Sequence, residues 1–63
     1  MVTRSILRLS QVMAITGCKR STIYELMKKS EFPKSYRIGV RAVGWDSVEI
    51  SAWVNTKLNR EAL

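Results

Sequence analysis

Apolar positions along this chain fall into short groups whose spacing changes from one group to the next. Ile6, Leu7 and Leu9 surround Arg8 in a loose alternation, which predicts an extended lead-in. Ser10 stands where a helix N-cap belongs, with Leu9 and Ala14 at hydrophobic-staple positions. A first helix is therefore expected over 11–16, with Val12 and Ile15 facing inward and Gly17 supplying the left-handed residue that ends it. A second helix is expected over about 20–30, where Ile23, Leu26, Met27 and Ser30 form one stripe. Its opposite face carries Ser21, Glu25 and Lys28, flanked by Tyr24 and Lys29, and Phe32-Pro33 stops it.

The period then changes from helical to alternating. Tyr36-Arg37-Ile38 and Ala42-Val43-Gly44-Trp45 read as two strands around a three-residue loop, Gly39-Val40-Arg41. Two strands alone are marginal, so this hairpin must pack on the helices. Asp46 opens a last helix as its cap, with Glu49 at the capping-box position, and Ile50, Trp53, Val54, Lys57 and Leu58 form the stripe expected to be buried. Phe32, Ile38, Trp45 and Trp53 are the large residues expected in the core.

With 63 residues the chain makes one domain, 1–63, with an ordered core expected at about 6–60. A chain this short buries only about 60% of its unfolded surface, so packing has little reserve. Cys18 is the lone cysteine and there is no histidine, which excludes an internal disulfide and argues against a zinc site. Cys18 reads as a small core residue in a reducing compartment, and no cofactor is expected. The longest apolar run, Val12 to Ile15, is far short of a membrane span. A soluble cytoplasmic protein with no membrane partner is expected.

Charge adds direction to this picture. The chain carries eleven Lys and Arg against five Asp and Glu, and seven of those cations lie between Lys19 and Arg41. Such segregation suits a polyanion-binding surface, although excess charge also serves solubility. Two short helices joined at Thr16-Gly17-Cys18-Lys19, then a hairpin, then a third helix, match a helix-turn-helix with a wing. The fold class expected is α+β, mainly α: a small winged helix-turn-helix of three helices plus a two-stranded β-hairpin wing between helices 2 and 3. A second helix of this kind has the diameter to enter a DNA major groove, and a hairpin loop carrying Arg41 can follow the backbone or probe the minor groove.

The strings Arg20-Ser21-Thr22-Ile23-Tyr24, Phe32-Pro33 and Arg41-Ala42-Val43-Gly44-Trp45, with Arg37-Ile38-Gly39 before the last, resemble the AlpA family of prophage regulators. That family sits within the MerR-like and excisionase-like small winged-helix proteins, and the resemblance runs from about Leu9 to Leu58. It implies a transcriptional regulator that binds double-stranded DNA at a prophage or integrative element and controls integrase or excision. The alternative is an architectural excisionase that acts with an integrase. A more remote one is an interaction module whose basic face meets an acidic protein. The chain departs from the family pattern at Cys18-Lys19, where Leu-Ser is common, so the serine N-cap of the second helix is missing. It departs again at Glu25, often basic in the family, which could accept from a cytosine amine.

The residues expected to contact DNA are Lys19, Arg20, Ser21, Thr22, Tyr24, Lys28, Arg37 and Arg41. Arg20, Ser21 and Thr22 open the second helix, where the alternative is a solvated helix start. Tyr24 could reach a phosphate or sugar, or pack on the wing. Lys28 suits a phosphate, while Lys29 reads as a solvated face. Arg37 and Arg41 straddle the loop, where their alternative is edge-strand charge that opposes aggregation. Catalysis is excluded by inventory: no base partners Cys18, no carboxylate pair is aimed at one point and no Gly-rich phosphate loop exists, so no small-molecule substrate is expected. One helix and one wing cover about 600–1,000 Å² of protein surface, so self-association or cooperative loading on DNA is expected for specificity.

Overall fold

The computed structural model describes residues 4–61. Its elements run β1 (Ile6–Leu7), α1 (Leu9–Thr16), α2 (Arg20–Lys28), β2 (Tyr36–Arg37), β3 (Val43–Asp46) and α3 (Ser47–Glu61). This is a winged helix-turn-helix, with the β2–β3 hairpin between the second and third helices. The sheet is one strand larger than the expected hairpin. The lead-in pairs as β1 with β3, giving an antiparallel sheet of order β1-β3-β2. The register sets Ile6 opposite Asp46 and Leu7 opposite Trp45 on one side, and Tyr36 opposite Gly44 and Arg37 opposite Val43 on the other.

The first helix starts earlier than its apparent cap. Arg8, extended at φ −86° and ψ 166°, is the N-cap, and Ser10 lies inside the helix. Arginine has no side-chain acceptor, so only half of a capping box forms, with Gln11 Oε1 accepting from the Arg8 N–H at 2.8 Å. Leu9 is thus a helical residue packed on the core rather than a staple. Gly17 ends α1 at φ 73°, its N–H donating to Met13 O at 2.8 Å, and Thr16 Oγ1 accepts from the Cys18 N–H at 3.3 Å. Ile15 is half exposed, because the inward positions of α1 are Val12 and, in part, Leu9 and Met13.

α2 ends at Lys28, two residues short of expectation, and before Pro33 comes into play. Ser30 takes the left-handed conformation at φ 59°, its N–H donates to Met27 O at 3.0 Å, and the Glu31 N–H donates to Leu26 O at 2.8 Å. Those two bonds make a Schellman motif with serine in the usual glycine position, so Ser30 belongs to the exit turn and not to the apolar stripe. At α3 the cap is as expected: Asp46 Oδ1 accepts from the Val48 N–H at 2.9 Å. Glu49, however, accepts from the Tyr36 hydroxyl at 2.9 Å, tying the wing to α3.

Leu7, Val12, Ile23, Phe32, Trp45 and Ile50 form the core, with Leu9, Met13, Cys18, Leu26, Met27, Trp53 and Val54 partly buried around it. Trp45 Nε1 is the one buried side-chain nitrogen or oxygen among the described residues without a partner. Trp53 is half-buried and acts as a tether: it meets Phe32 edge-on at 4.8 Å between ring centroids and donates from Nε1 to Glu31 O at 2.9 Å. Two expected core positions are open. Ile38 is 38% exposed, since it follows Tyr36 onto the sheet face away from Trp45, and Leu58 is 61% exposed. No helix among the described residues is long and apolar enough to cross a membrane.

Candidate nucleic-acid interface

The candidate surface has two parts, one on α2 and one on the wing, held by different packing. α2 turns Ile23 fully inward and half-buries Leu26 and Met27, so positions 20, 21, 24, 25 and 28 are left pointing out. Lys19, Arg20, Ser21, Thr22, Tyr24 and Lys28 are all exposed. Lys19 is the N-cap of α2, at φ −76° and ψ 159°, and no side chain caps the first turn. The partial positive charge of that helix end therefore adds to the charges of Lys19 and Arg20. Lys28 sits in the last turn, where a cation also suits the helix dipole.

Tyr24 is 41% exposed. Its ring lies under the Arg20 guanidinium, 6.0 Å from Arg20 Cζ to the ring centroid. This contact restrains a long side chain at the helix start and leaves the charge exposed. Among the described residues Arg4–Asp46 is the one ion pair, so no described carboxylate neutralises Lys19, Arg20, Lys28, Arg37 or Arg41. Glu25 shares the outward face.

On the wing the two arginines differ. Arg41 is exposed and forms no side-chain hydrogen bond with a described residue. Arg37 folds back over the loop instead, donating from Nε to Gly39 O at 3.3 Å and from Nη2 to Val40 O at 3.0 Å. The loop closes with both the Ile38 and Gly39 N–H groups donating to Ala42 O, at 2.9 and 3.2 Å. No loop residue has positive φ, so the glycine serves no left-handed turn here. Val40, at the tip, is 84% exposed. Sequence reasoning did not single out Val40, although an aliphatic residue between Gly39 and Arg41 in a turn was a visible signal.

The remaining charged contacts lie at the base of the sheet. Arg4 holds the Asp46 carboxyl below the usual carboxylate range and is itself raised by the same hydrogen bond. The hydrogen bond to Glu49 raises the Tyr36 hydroxyl. No three of His, Cys, Asp and Glu among the described residues converge on a point.

The family model described as "Prophage CP4-57 regulatory protein (AlpA)" matches residues 5–58, a span running from the residue before β1 to near the end of α3. The chain belongs to the AlpA family of prophage regulatory proteins. It is similar to the DNA-binding transcriptional activator AlpA of Escherichia coli K12, 38% identical over 58 residues, covering 82% of this chain and 83% of that protein. It is also similar to the uncharacterized protein ORF88 of Enterobacteria phage P4, 46% identical over 48 residues. That match covers 76% of this chain and about half, 54%, of the phage protein. No solved structure matches the chain significantly. The family-model match, over residues 5–58, takes in both helices of the helix-turn-helix and the whole wing.

Proposed function

We propose that this AlpA-family chain is a sequence-specific, double-stranded-DNA-binding transcriptional regulator of a prophage or integrative element, controlling integrase expression or excision. The observation that carries this reading is the outward face of α2: a cationic, uncapped helix start with Arg20 restrained over Tyr24 and no described carboxylate pairing its cations. The E. coli relative's description as a DNA-binding transcriptional activator supports it. In this reading α2 enters the major groove. Arg20, Ser21 and Thr22 face bases or phosphates, Tyr24 holds Arg20, and Lys19 and Lys28 meet the flanking phosphates. Arg41 contacts the backbone or minor groove from the wing. Such a small footprint calls for two or more copies on one site.

Fluorescence anisotropy with a duplex from the element's integrase promoter and attachment region, against a scrambled duplex, tests this at several salt concentrations. Salt-sensitive binding that prefers the native duplex by about 10³-fold or more is expected. Replacing Arg20 and Arg41 with Ala should flatten the salt slope by up to ~2. Equal, weak binding to both duplexes would sink the proposal and redirect the search to an acidic protein partner. Strong DNA bending with no promoter response would favour an excisionase acting with an integrase.

A further inference from the structure

Among the described residues Arg37 is the one cation of the candidate surface whose guanidinium hydrogen-bonds within the protein. Its two donors go to successive carbonyls, Gly39 and Val40, on the turn that carries Val40 and Arg41. That turn lacks the left-handed residue that usually stabilises a three-residue hairpin loop. Its backbone closure is a pair of bonds converging on a single acceptor, Ala42 O. Beyond them the exposed tip is held by the side chain of Arg37. The fork of a guanidinium is suited to this, because it bridges two carbonyls with one rigid plane, whereas an ammonium is a single flexible point.

We propose that Arg37 is a positioning residue for DNA binding: it fixes the wing turn so that Val40 and Arg41 are presented in one arrangement, rather than contacting DNA itself. The inference rests on the DNA-binding reading above. A turn held in its bound shape avoids an ordering cost when the complex forms, so the effect of Arg37 reaches DNA through the tip. Arg37 is exposed and its bonds are local to the loop, so altering it leaves the core and α1, α2 and α3 intact.

The test combines Arg37→Lys, which keeps the charge and removes the fork, with Arg41→Ala and the double variant. In the unbound protein, backbone order parameters at Val40 and Arg41 should fall from rigid values near ~0.85 toward ~0.6 in Arg37→Lys, while those of α1 and α3 stay unchanged. In anisotropy titrations Arg37→Lys should weaken duplex binding about fivefold or more despite its retained charge. In the Arg41→Ala background the same change should cost less than about twofold, because the two residues act through one element. Unchanged order parameters, full-strength binding by Arg37→Lys, or losses that multiply in the double variant would each overturn the positioning role and leave the DNA-binding reading standing. Absence of salt-sensitive duplex binding by the unaltered protein would overturn both.

Discussion

Asp46 holds Arg4 with one carboxylate oxygen and caps α3 with the other. Arg4 Nε donates to Oδ2 at 2.7 Å, a second donor from the same guanidinium reaches that oxygen, and Oδ1 accepts from the Val48 N–H. Ser47 adds a parallel tie, since its Oγ accepts from the Ser5 N–H at 2.8 Å and its own N–H donates to Ser5 O at 2.9 Å. The first described residues are thereby fixed to the junction of β3 and α3, and β1 is aligned for the pairing that puts Leu7 beside Trp45.

This pairing makes stability depend on pH in a defined direction. The folded-state value for Asp46 is depressed, first by the hydrogen bond from Arg4. Its contribution is therefore fully present above the unfolded carboxylate value of about 3.9 and is lost as pH falls through the lower folded value. Melting temperature followed by circular dichroism from pH 7 to pH 2 should drop below about pH 4. Asp46→Asn keeps a capping acceptor but loses the titrating charge, so its curve should be flatter over that range. Parallel curves for the two proteins would show that the pair contributes nothing.

Gly44 is constrained by its neighbours rather than by its backbone angles. A Cβ there would collide with Ile6 Cγ2 and lie 3.1 Å from Leu7 O, with Ile38 Cδ1 at 3.4 Å. Gly44→Ala should destabilise the domain by roughly 1–3 kcal/mol, as overpacking does. Ile6 is exposed, so Ile6→Ala costs little alone but removes the closest obstacle. The double variant should then be more stable than Gly44→Ala but recover only part of the loss, because Leu7 O remains close. Equal denaturant midpoints for Gly44→Ala and the double variant would refute this account.

Local signals in the sequence were followed by the fold, and long-range ones were not visible. Gly17, Asp46 and the loop around Val40 each act within a few residues, and each ends or turns an element where the pattern placed it. β1 is two residues long and its partner lies about forty residues away, so nothing local marks it as a strand. Its pairing also displaces the start of α1, which moves the cap from Ser10 to Arg8. Ile15, Ile38 and Leu58 look like core residues by type, but the neighbouring elements do not cover them. At the candidate interface the cations of α2 were legible as an exposed face. The turn of Arg37 back onto Gly39 and Val40 was not, because a side chain that reaches its own loop leaves no mark on spacing.

Ser30 occupies a conformation that costs an L-residue roughly 1–2 kcal/mol. Ser30→Gly removes that strain, and the greater unfolded freedom of glycine offsets part of the gain. A net stabilisation of about 1 kcal/mol is expected, which for a domain of this size raises the melting temperature by about 4–8 °C. Ser30→Val, β-branched and poorly suited to positive φ, should move the temperature the other way. A lower melting temperature for Ser30→Gly would mean that the serine hydroxyl stabilises the exit turn in a way the Schellman bonds do not explain.

Lys19 sets stability against binding at a single position. It is the N-cap of α2 with extended backbone and no side-chain bond to the first turn, so serine fits the same geometry and adds an acceptor. Lys19→Ser should stabilise the fold by roughly 0.5–2 kcal/mol. The same change removes a cation from the helix start, so duplex binding should weaken and the magnitude of the salt slope should fall by up to ~1. Thermal melts and salt-dependent anisotropy on the same two proteins read both effects. A more stable protein with an unchanged slope would take Lys19 off the DNA surface. An unchanged stability with a smaller slope would show that the uncapped amides of α2 are satisfied by solvent as well as by a side chain. Opposite movements of the two quantities, the expected result, would mean that a helix cap has been given up here for a phosphate contact.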